Sequence, residues 1–278
     1  MRVKYTLTTI STLLLTLSLV PLGTAMAQAA RAEAAALEEK VPQSEAKPAA
    51  KETADVHAKA TLASRASEVL EEVMKTPDHG IPLDLLSRAK CVAVFPSTLK
   101  AGFVVGAKYG YGLVSCRQPE SDTWGAPAFF TIAGGSVGLQ IGAKATDLIL
   151  LFTNDRGVQG LLNSKVTLGA DIGVSAGPVG RDASASTDVS LQAAVLSYAR
   201  SQGVFAGVEL DGSVMSYDRE ATREMYGQAW LAKAVLMGNK EAPVSLASFP
   251  HMLGTYAPQR MTKSSVQPPP PPGGLSVR

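Results

Sequence analysis

Ser136 and Ser175 each sit at the centre of a Gly-x-Ser-x-Gly pattern: Gly134-Gly135-Ser136-Val137-Gly138 and Gly173-Val174-Ser175-Ala176-Gly177. In hydrolases the serine of this pattern occupies a sharp turn between a strand and a helix, which presents its hydroxyl as a nucleophile. Here the first pattern runs into alternating apolar residues and the second into Pro178 and Gly180, so neither is followed by a helix signal. In a chain with 25 glycines such matches arise by chance, and serine hydrolysis is the weakest reading. The three histidines, His57, His79 and His251, share no metal-ligand spacing, and the two cysteines do not complete a zinc set. No Gly-x4-Gly-Lys-Ser/Thr phosphate loop is present. Asp147, Asp171 and Asp211 each lie beside a glycine-rich strand, where backbone amides satisfy such residues. The chain therefore reads as a binding protein rather than an enzyme, with no cofactor and no metal expected.

The cations offer more. Lys100 lies in a Ser-Thr-Leu-Lys stretch between two apolar segments, and Arg181 follows Gly177-Pro178-Val179-Gly180. A guanidinium beside such a turn either grips a phosphate head group bidentately or is solvated and paired with a neighbour such as Asp182. Cys91 and Cys116 are the remaining reactive pair. In an oxidising compartment they either bond, closing a loop for about 3 kcal/mol, or stay free. A simple meander of the segments near 92, 104 and 113 would set them at opposite ends of a sheet. The absence of a Cys-x-x-Cys spacing argues against a redox role.

The elements that position these residues follow from glycine spacing. Gly102/Gly106/Gly110, Gly134/Gly138/Gly142, Gly169/Gly173/Gly177 and Gly203/Gly207 recur four apart, with apolar and β-branched residues between them. On a strand, residues i and i+4 share a face, so each stretch has one bare and one apolar face, suited to close packing or sharp curvature. A membrane-helix reading of the same spacing fails because Lys100, Lys108, Lys144, Asp147, Asp171 and Arg181 interrupt the apolar windows.

Leu62 to Lys75 has the period of an amphipathic helix, with Val69 and Leu70 on its apolar stripe and Thr61 as N-cap. Pro82 opens a short helix to Ala89. Strands are expected from Cys91 to Phe95, broken at Pro96-Ser97, then as a hairpin of Gly102–Ala107 and Tyr111–Cys116 around Tyr109-Gly110. Further strands are expected near Trp124–Ile132, Val137–Ala143, Asp147–Thr153, Val166–Val174, Val189–Tyr198 and Val204–Leu210. The run Leu148–Phe152 is apolar throughout and so buried on both faces. Asn154-Asp155 caps a helix to Leu162, and Asp218–Leu236 is a second long helix. The fold class is α+β: a curved or barrel-like antiparallel sheet with glycine-rich strands, flanked by N- and C-terminal helices.

Around this domain the composition changes. Residues 1–27 carry Arg2 and Lys4, an apolar run from Ile10 to Val20 and Ala25-Met26-Ala27, the pattern of a cleaved export signal. Residues 28–60 are an Ala/Glu/Lys/Pro linker, residues 61–260 the folded domain and residues 261–278 a tail containing Pro268 to Pro272. Without the first 27 residues the formal charge of +2 falls to zero, which removes any global drive toward nucleic acid or anionic membranes and leaves such attraction to a local patch. The expected place is the periplasm or outer membrane.

Several of these segments together resemble the SYLF family, the Ysc84-like actin- and lipid-binding domain. The resemblance rests on Ile81-Pro82, Leu85-Leu86, Ala89-Lys90 and Val94-Phe95-Pro96, then Lys100-Ala101-Gly102-Phe103 and Gly110-Tyr111-Gly112. It continues through Trp124 with Pro127, Thr146-Asp147, Leu168-Gly169-Ala170-Asp171, Gly177-Pro178-Val179-Gly180-Arg181, Gly203-Val204-Phe205-Ala206-Gly207 and Tyr226. It implies phospholipid binding, with phosphoinositides the ligands of eukaryotic members, and in some members actin binding. It also implies lipid contact through an amphipathic segment at the start of the domain, the position of Leu62–Lys75 with Val69 and Leu70. The chain departs from the family in its export signal, in lacking an SH3 or FYVE domain, and in the mixed charge of its opening helix, where Glu71 and Glu72 oppose anionic lipid. The expected function is non-enzymatic phospholipid binding at a cell envelope, through that helix together with Lys100 and Arg181. The alternative is an envelope assembly protein that binds a protein partner through the proline tail.

Overall fold

The computed structural model describes residues 46–76, 80–102, 105–137, 142–180 and 193–258. The expected export signal, the linker up to residue 45, Arg181 and the proline tail lie outside the described residues. Glu52–Arg278 forms one compact unit, separate from Met1–Lys51.

The described chain opens with α1 (Ala46–Lys75) and α2 (Leu83–Arg88), then runs through four long strands: β1 (Cys91–Gly102), β2 (Val105–Cys116), β3 (Ala128–Val137) and β4 (Gly142–Phe152). Shorter elements come next: α3 (Asp155–Leu162), β5 (Lys165–Thr167), β6 (Val174–Ala176), β7 (Val195–Ser201), β8 (Val204–Gly207) and β9 (Val214–Tyr217). Three helices, α4 (Arg219–Tyr226), α5 (Ala232–Leu236) and α6 (Ser248–Tyr256), complete it. The strands form one sheet in the order β5-β9-β3-β2-β1-β4-β7-β6, with β8 also paired to β7; all pairings are antiparallel except β6 with β7. The sheet curls into a half-barrel, the α+β architecture the sequence predicts.

Alternation decides which residue goes where. On β1, Val92 and Val94 face the cluster built by α1, α2 and α6, while Cys91, Ala93 and Phe95 face the cluster built by α3 and α5. On β4, Ile149 and Leu151 take the first side and Leu148, Leu150 and Phe152 the second, so the apolar run is buried on both faces as its composition requires. The α3 boundary also agrees with the sequence: the Asn154 side chain accepts a hydrogen bond from the Gly157 backbone N–H.

Several boundaries differ from expectation. The opening helix begins at Ala46 rather than at Leu62, and Thr61 lies inside it, its hydroxyl donating to the His57 carbonyl at 2.8 Å. Pro96-Ser97 does not end β1. The strand continues through a bulge, with Ser97 at φ 53° and the register against β2 shifting between Val94 and Leu99. Two glycines on β2 make room for it: a Cβ on Gly110 would stand 2.4 Å from Thr98 Oγ1, and one on Gly112 2.4 Å from Phe95 Cδ1. The bare face of β2 thus accepts the bulged neighbouring strand rather than a helix. Gly102 pairs with Gly106 across the hairpin, and Tyr109-Gly110 is mid-strand rather than at its turn.

The stretch expected as one strand, Val166–Val174, is instead β5, a turn with Gly169 at φ 87°, and β6. Asp218–Leu236 is interrupted at Gly227, whose φ of 70° ends α4. The helix α6 is an addition to the expected elements, although Phe249, Met252, Leu253 and Tyr256 hold the helical period and Pro250 sits in the first turn, where a helix tolerates it.

Candidate functional site

Beyond Thr98 on β1 and Thr146 on β4 the strands become largely exposed, and lysines gather there. Lys100 pairs in register with Lys108 on β2 and with Lys144 on β4, and Gly102 pairs with Gly106 and Gly142 one step further out. Residues opposite each other on neighbouring strands share a face. Lys108, Lys100 and Lys144 therefore form a row across three strands, on the face that carries Phe95, Leu148 and Leu150 deeper in the sheet. The sequence writes this row as Lys100-Ala101-Gly102, Gly106-Ala107-Lys108 and Gly142-Ala143-Lys144, one tripeptide and two copies of its reverse, which antiparallel pairing brings side by side.

The three lysines differ in environment. Lys144 is exposed, Lys100 is half-buried and Lys108 is buried, at 6% exposure. Lys108 pairs on its other side with Gly134 of β3, and its aliphatic stem lies over that glycine: a Cβ there would stand 3.0 Å from Lys108 Cε and 3.2 Å from Ser213 Oγ. Ser213 is fully buried and its hydroxyl has no hydrogen-bond partner among the described residues. Burial holds the Lys108 ammonium below the usual lysine pKa range, the Lys100 charge adds to that shift, and Asp211 opposes it.

The adjacent row points to the other face and is apolar. Leu99 pairs with Tyr109 and with Ala145, and Tyr109 with Ala133. Leu99, Tyr109 and Tyr111 are 51%, 46% and 54% exposed, and the two tyrosine rings meet edge to face at 5.2 Å. This end of the sheet is thus a blade, cationic on one face and apolar on the other. Below it, a cavity of about 430 Å³ opens between α1 and the sheet, lined by Leu62, Tyr111 and Phe129 among others.

The other sequence-predicted residues lie away from this row. Val69 and Leu70, expected to contact lipid, are 5% and 0% exposed and belong to the core cluster between α1 and the sheet. Their stripe is the packing face of α1. Ion pairs hold the helix down along its length, Lys59 to Glu224 on α4 and Glu72 to Arg200 on β7. Arg200 also binds Asp147 at 2.9 Å, and Asp147 accepts the Ser97 backbone N–H at 2.8 Å, which anchors the β1 bulge. Asp171 likewise accepts a backbone N–H, from Thr167. Both acids are held by the backbone amides expected of them.

Cys91 and Cys116 are bonded. They meet, against the expected meander, because β1 is continuous through its bulge and pairs with β2 along its whole length, which sets the hairpin's two free ends side by side. Ser136 lies in β3 and Ser175 in β6, neither on a strand-to-helix turn. Among the described residues no group of three or more His, Cys, Asp or Glu is placed to hold a metal, and no helix is long and apolar enough to cross a membrane.

Comparisons with known proteins agree with this architecture's sequence signature. A family model, Ysc84, described as "Las17-binding protein actin regulator", matches residues 133–256. SH3 domain-containing YSC84-like protein 1 of Rattus norvegicus is 33% identical over 207 residues, covering 72% of this chain and 60% of that protein. LAS seventeen-binding protein 3 of Saccharomyces cerevisiae is 38% identical over 169 residues, covering 60% of this chain and 36% of that protein. Protein YSC84 of the same yeast is 35% identical over 187 residues, covering 64% and 40%. The chain spans 60% or less of the length of these relatives.

Proposed function

The chain belongs to the Ysc84-like (SYLF) family, and on that premise we propose that it is a non-enzymatic phospholipid-binding protein of a cell envelope, meeting the membrane with the exposed end of its long strands. The observation that carries this reading is the pairing of two consecutive cross-strand rows, Lys108–Lys100–Lys144 on one face and Ala133–Tyr109–Leu99–Ala145 on the other. Tyrosine and leucine suit the interfacial zone of a bilayer, and lysines beside them are drawn to anionic head groups at about 1 kcal/mol each. Lys100 keeps its role as a head-group contact. Arg181 is retained as a second contact on its sequence context alone.

The role given to α1 changes. Its apolar stripe is engaged with the sheet, so Val69 and Leu70 serve lipid binding by holding the domain together. Export is supported by the Cys91–Cys116 bond, which suits an oxidising compartment, and by the pattern of the first 27 residues.

The test is a double substitution, Tyr109→Ser with Tyr111→Ser, assayed by flotation with phospholipid vesicles. The reading predicts binding weakened about tenfold or more with an unchanged melting curve, because both rings are about half exposed. Undiminished flotation would overturn the strand-end contact. If binding to a protein partner then disappeared on deleting residues 261–278, the assembly reading would replace it.

A further inference from the structure

Past α6 the backbone is fastened where it leaves the described fold. The Trp124 indole Nε1 donates to the Ala257 carbonyl at 2.8 Å, and the Arg117 guanidinium donates to the Ala257 and Pro258 carbonyls at 2.9 and 3.3 Å. Arg117 is buried and stacks over the Trp124 ring, 4.5 Å from its centroid. Beside this anchor a cleft of about 530 Å³ opens between Trp124 and α6, lined by Pro250, His251, Gly254 and Pro258 among others. No Lys, Arg, Asp or Glu is among its described lining residues. Space stands over Gly254, where an added Cβ would meet nothing within 4 Å. An indole and two prolines thus border an uncharged groove, with the exposed Thr123 hydroxyl and His251 ring as donors at its margin.

We propose that this groove holds the chain's own proline run, Pro268 to Pro272, folded back in cis. The sequence beyond the described fold starts from Pro258, a wall of the groove, and reaches Pro268 ten residues later. A ten-residue coil spans about 17 Å on average and about 33 Å at most, so the run can return to the surface its tether leaves. Five consecutive prolines favour a polyproline II rod about 15 Å long, which loses little conformational entropy on docking. Such a rod presents rings and carbonyl acceptors but no N–H, and so suits an aromatic groove with donors at its edge. From Gln267 to Gly274 the sequence is uncharged, and neither surface desolvates an ion on contact. Tethering gives the run an effective concentration on the order of millimolar, so a contact too weak to persist between separate molecules is populated within one. The docked run is thereby withheld from other proline-binding surfaces. The groove lies at the disulfide end of the β1–β2 hairpin, where Arg117 bridges to Trp124, and the inference does not rest on the membrane reading of the opposite end.

The experiment uses the full chain carrying Trp230→Phe, which leaves Trp124 as its single indole. Acrylamide quenching of Trp124 fluorescence is compared between this chain and the same chain with Pro268→Ser through Pro272→Ser. Docking predicts a quenching constant about twofold or more higher once the run is gone, with both values independent of protein concentration. A peptide of the sequence Gln267 to Gly274 is then titrated into each. It should bind the chain without the run saturably, and the chain that keeps the run about tenfold or more weakly, because the tethered copy competes. Adding Gly254→Glu to the chain without the run should weaken the peptide about tenfold or more, since a carboxylate then occupies the uncharged groove. That side chain starts in open space on α6, so the melting curve should be retained. Equal quenching with and without the run, no saturable peptide binding, or peptide binding indifferent to Gly254→Glu overturns the proposal. Protection of Trp124 that appears only at high protein concentration also overturns it, and assigns the groove to the tail of a second copy.

Discussion

Cys91 stands directly opposite Cys116 in the β1–β2 pairing, Cα to Cα at 3.9 Å and disulfide-bonded, at the end of the hairpin remote from Lys100 and Lys108. The bond ties the buried ends of two strands whose other ends carry the proposed contact surface. Replacing both cysteines by alanine, or reducing the bond, is expected to lower unfolding stability by about 3 kcal/mol, read from urea denaturation. Vesicle binding of the fraction still folded is expected to remain unchanged.

The burial of α1 predicts how its stripe responds to substitution. Leu70→Ala should destabilise the domain by about 2–5 kcal/mol, through lost burial and the cavity left behind. Val69→Ser should destabilise it further than its lost methyl alone requires, since a hydroxyl enters an apolar contact. Thermal melts measure both. A melt unchanged by Leu70→Ala, accompanied by lost vesicle binding, would return α1 to the role of membrane contact.

The bulge at Ser97 depends on the absence of side chains on β2. Gly112→Ala would drive a Cβ against the Val94 carbonyl oxygen and the Phe95 ring, both 2.4 Å away, and the expected cost is about 1–3 kcal/mol or more. Gly135→Ala, on β3 with nothing within 4 Å of its added Cβ, is the control and should melt like the wild type.

Two phenols set the alkaline limit. Burial raises the Tyr198 and Tyr226 hydroxyls above the usual tyrosine range; they donate to the Pro178 and Pro127 carbonyls at 3.3 and 2.6 Å. A group whose folded pKa is raised gives stability that is present below its unfolded pKa, here about 10, and is lost as pH climbs toward the folded value. Stability should therefore fall progressively above pH about 10, with phenolate absorbance from these two residues appearing only with unfolding. Tyr198→Phe and Tyr226→Phe should each flatten that decline.

The sequence carried the outline of this fold because its strong signals are local. The unbroken run Leu148–Phe152 could only be buried on both faces, and Asn154 could only cap the helix beginning at Asp155. The long-range facts were hidden for a matching reason. Lys108 and Lys144 look like ordinary surface lysines until strand pairing sets them beside Lys100, although the tripeptide Lys-Ala-Gly and its reversed copies held the symmetry of that pairing. Pro96-Ser97 read as a break because a bulge needs a partner strand without side chains, a property of Gly110 and Gly112 on the neighbouring strand. Val69 and Leu70 fitted both membrane and core, since an apolar stripe has the same period whichever surface covers it.

The most direct measurement is co-sedimentation of wild type and the Lys100→Gln/Lys108→Met/Lys144→Gln variant with neutral and anionic vesicles at low and high salt. The account predicts that the wild type pellets with anionic vesicles at low salt and is released by high salt. It predicts that the folded triple variant binds more weakly by about thirtyfold or more, as the two accessible lysines, Lys100 and Lys144, require at about 1 kcal/mol each. Equal binding by variant and wild type, or wild-type binding indifferent to lipid charge and salt, would contradict it.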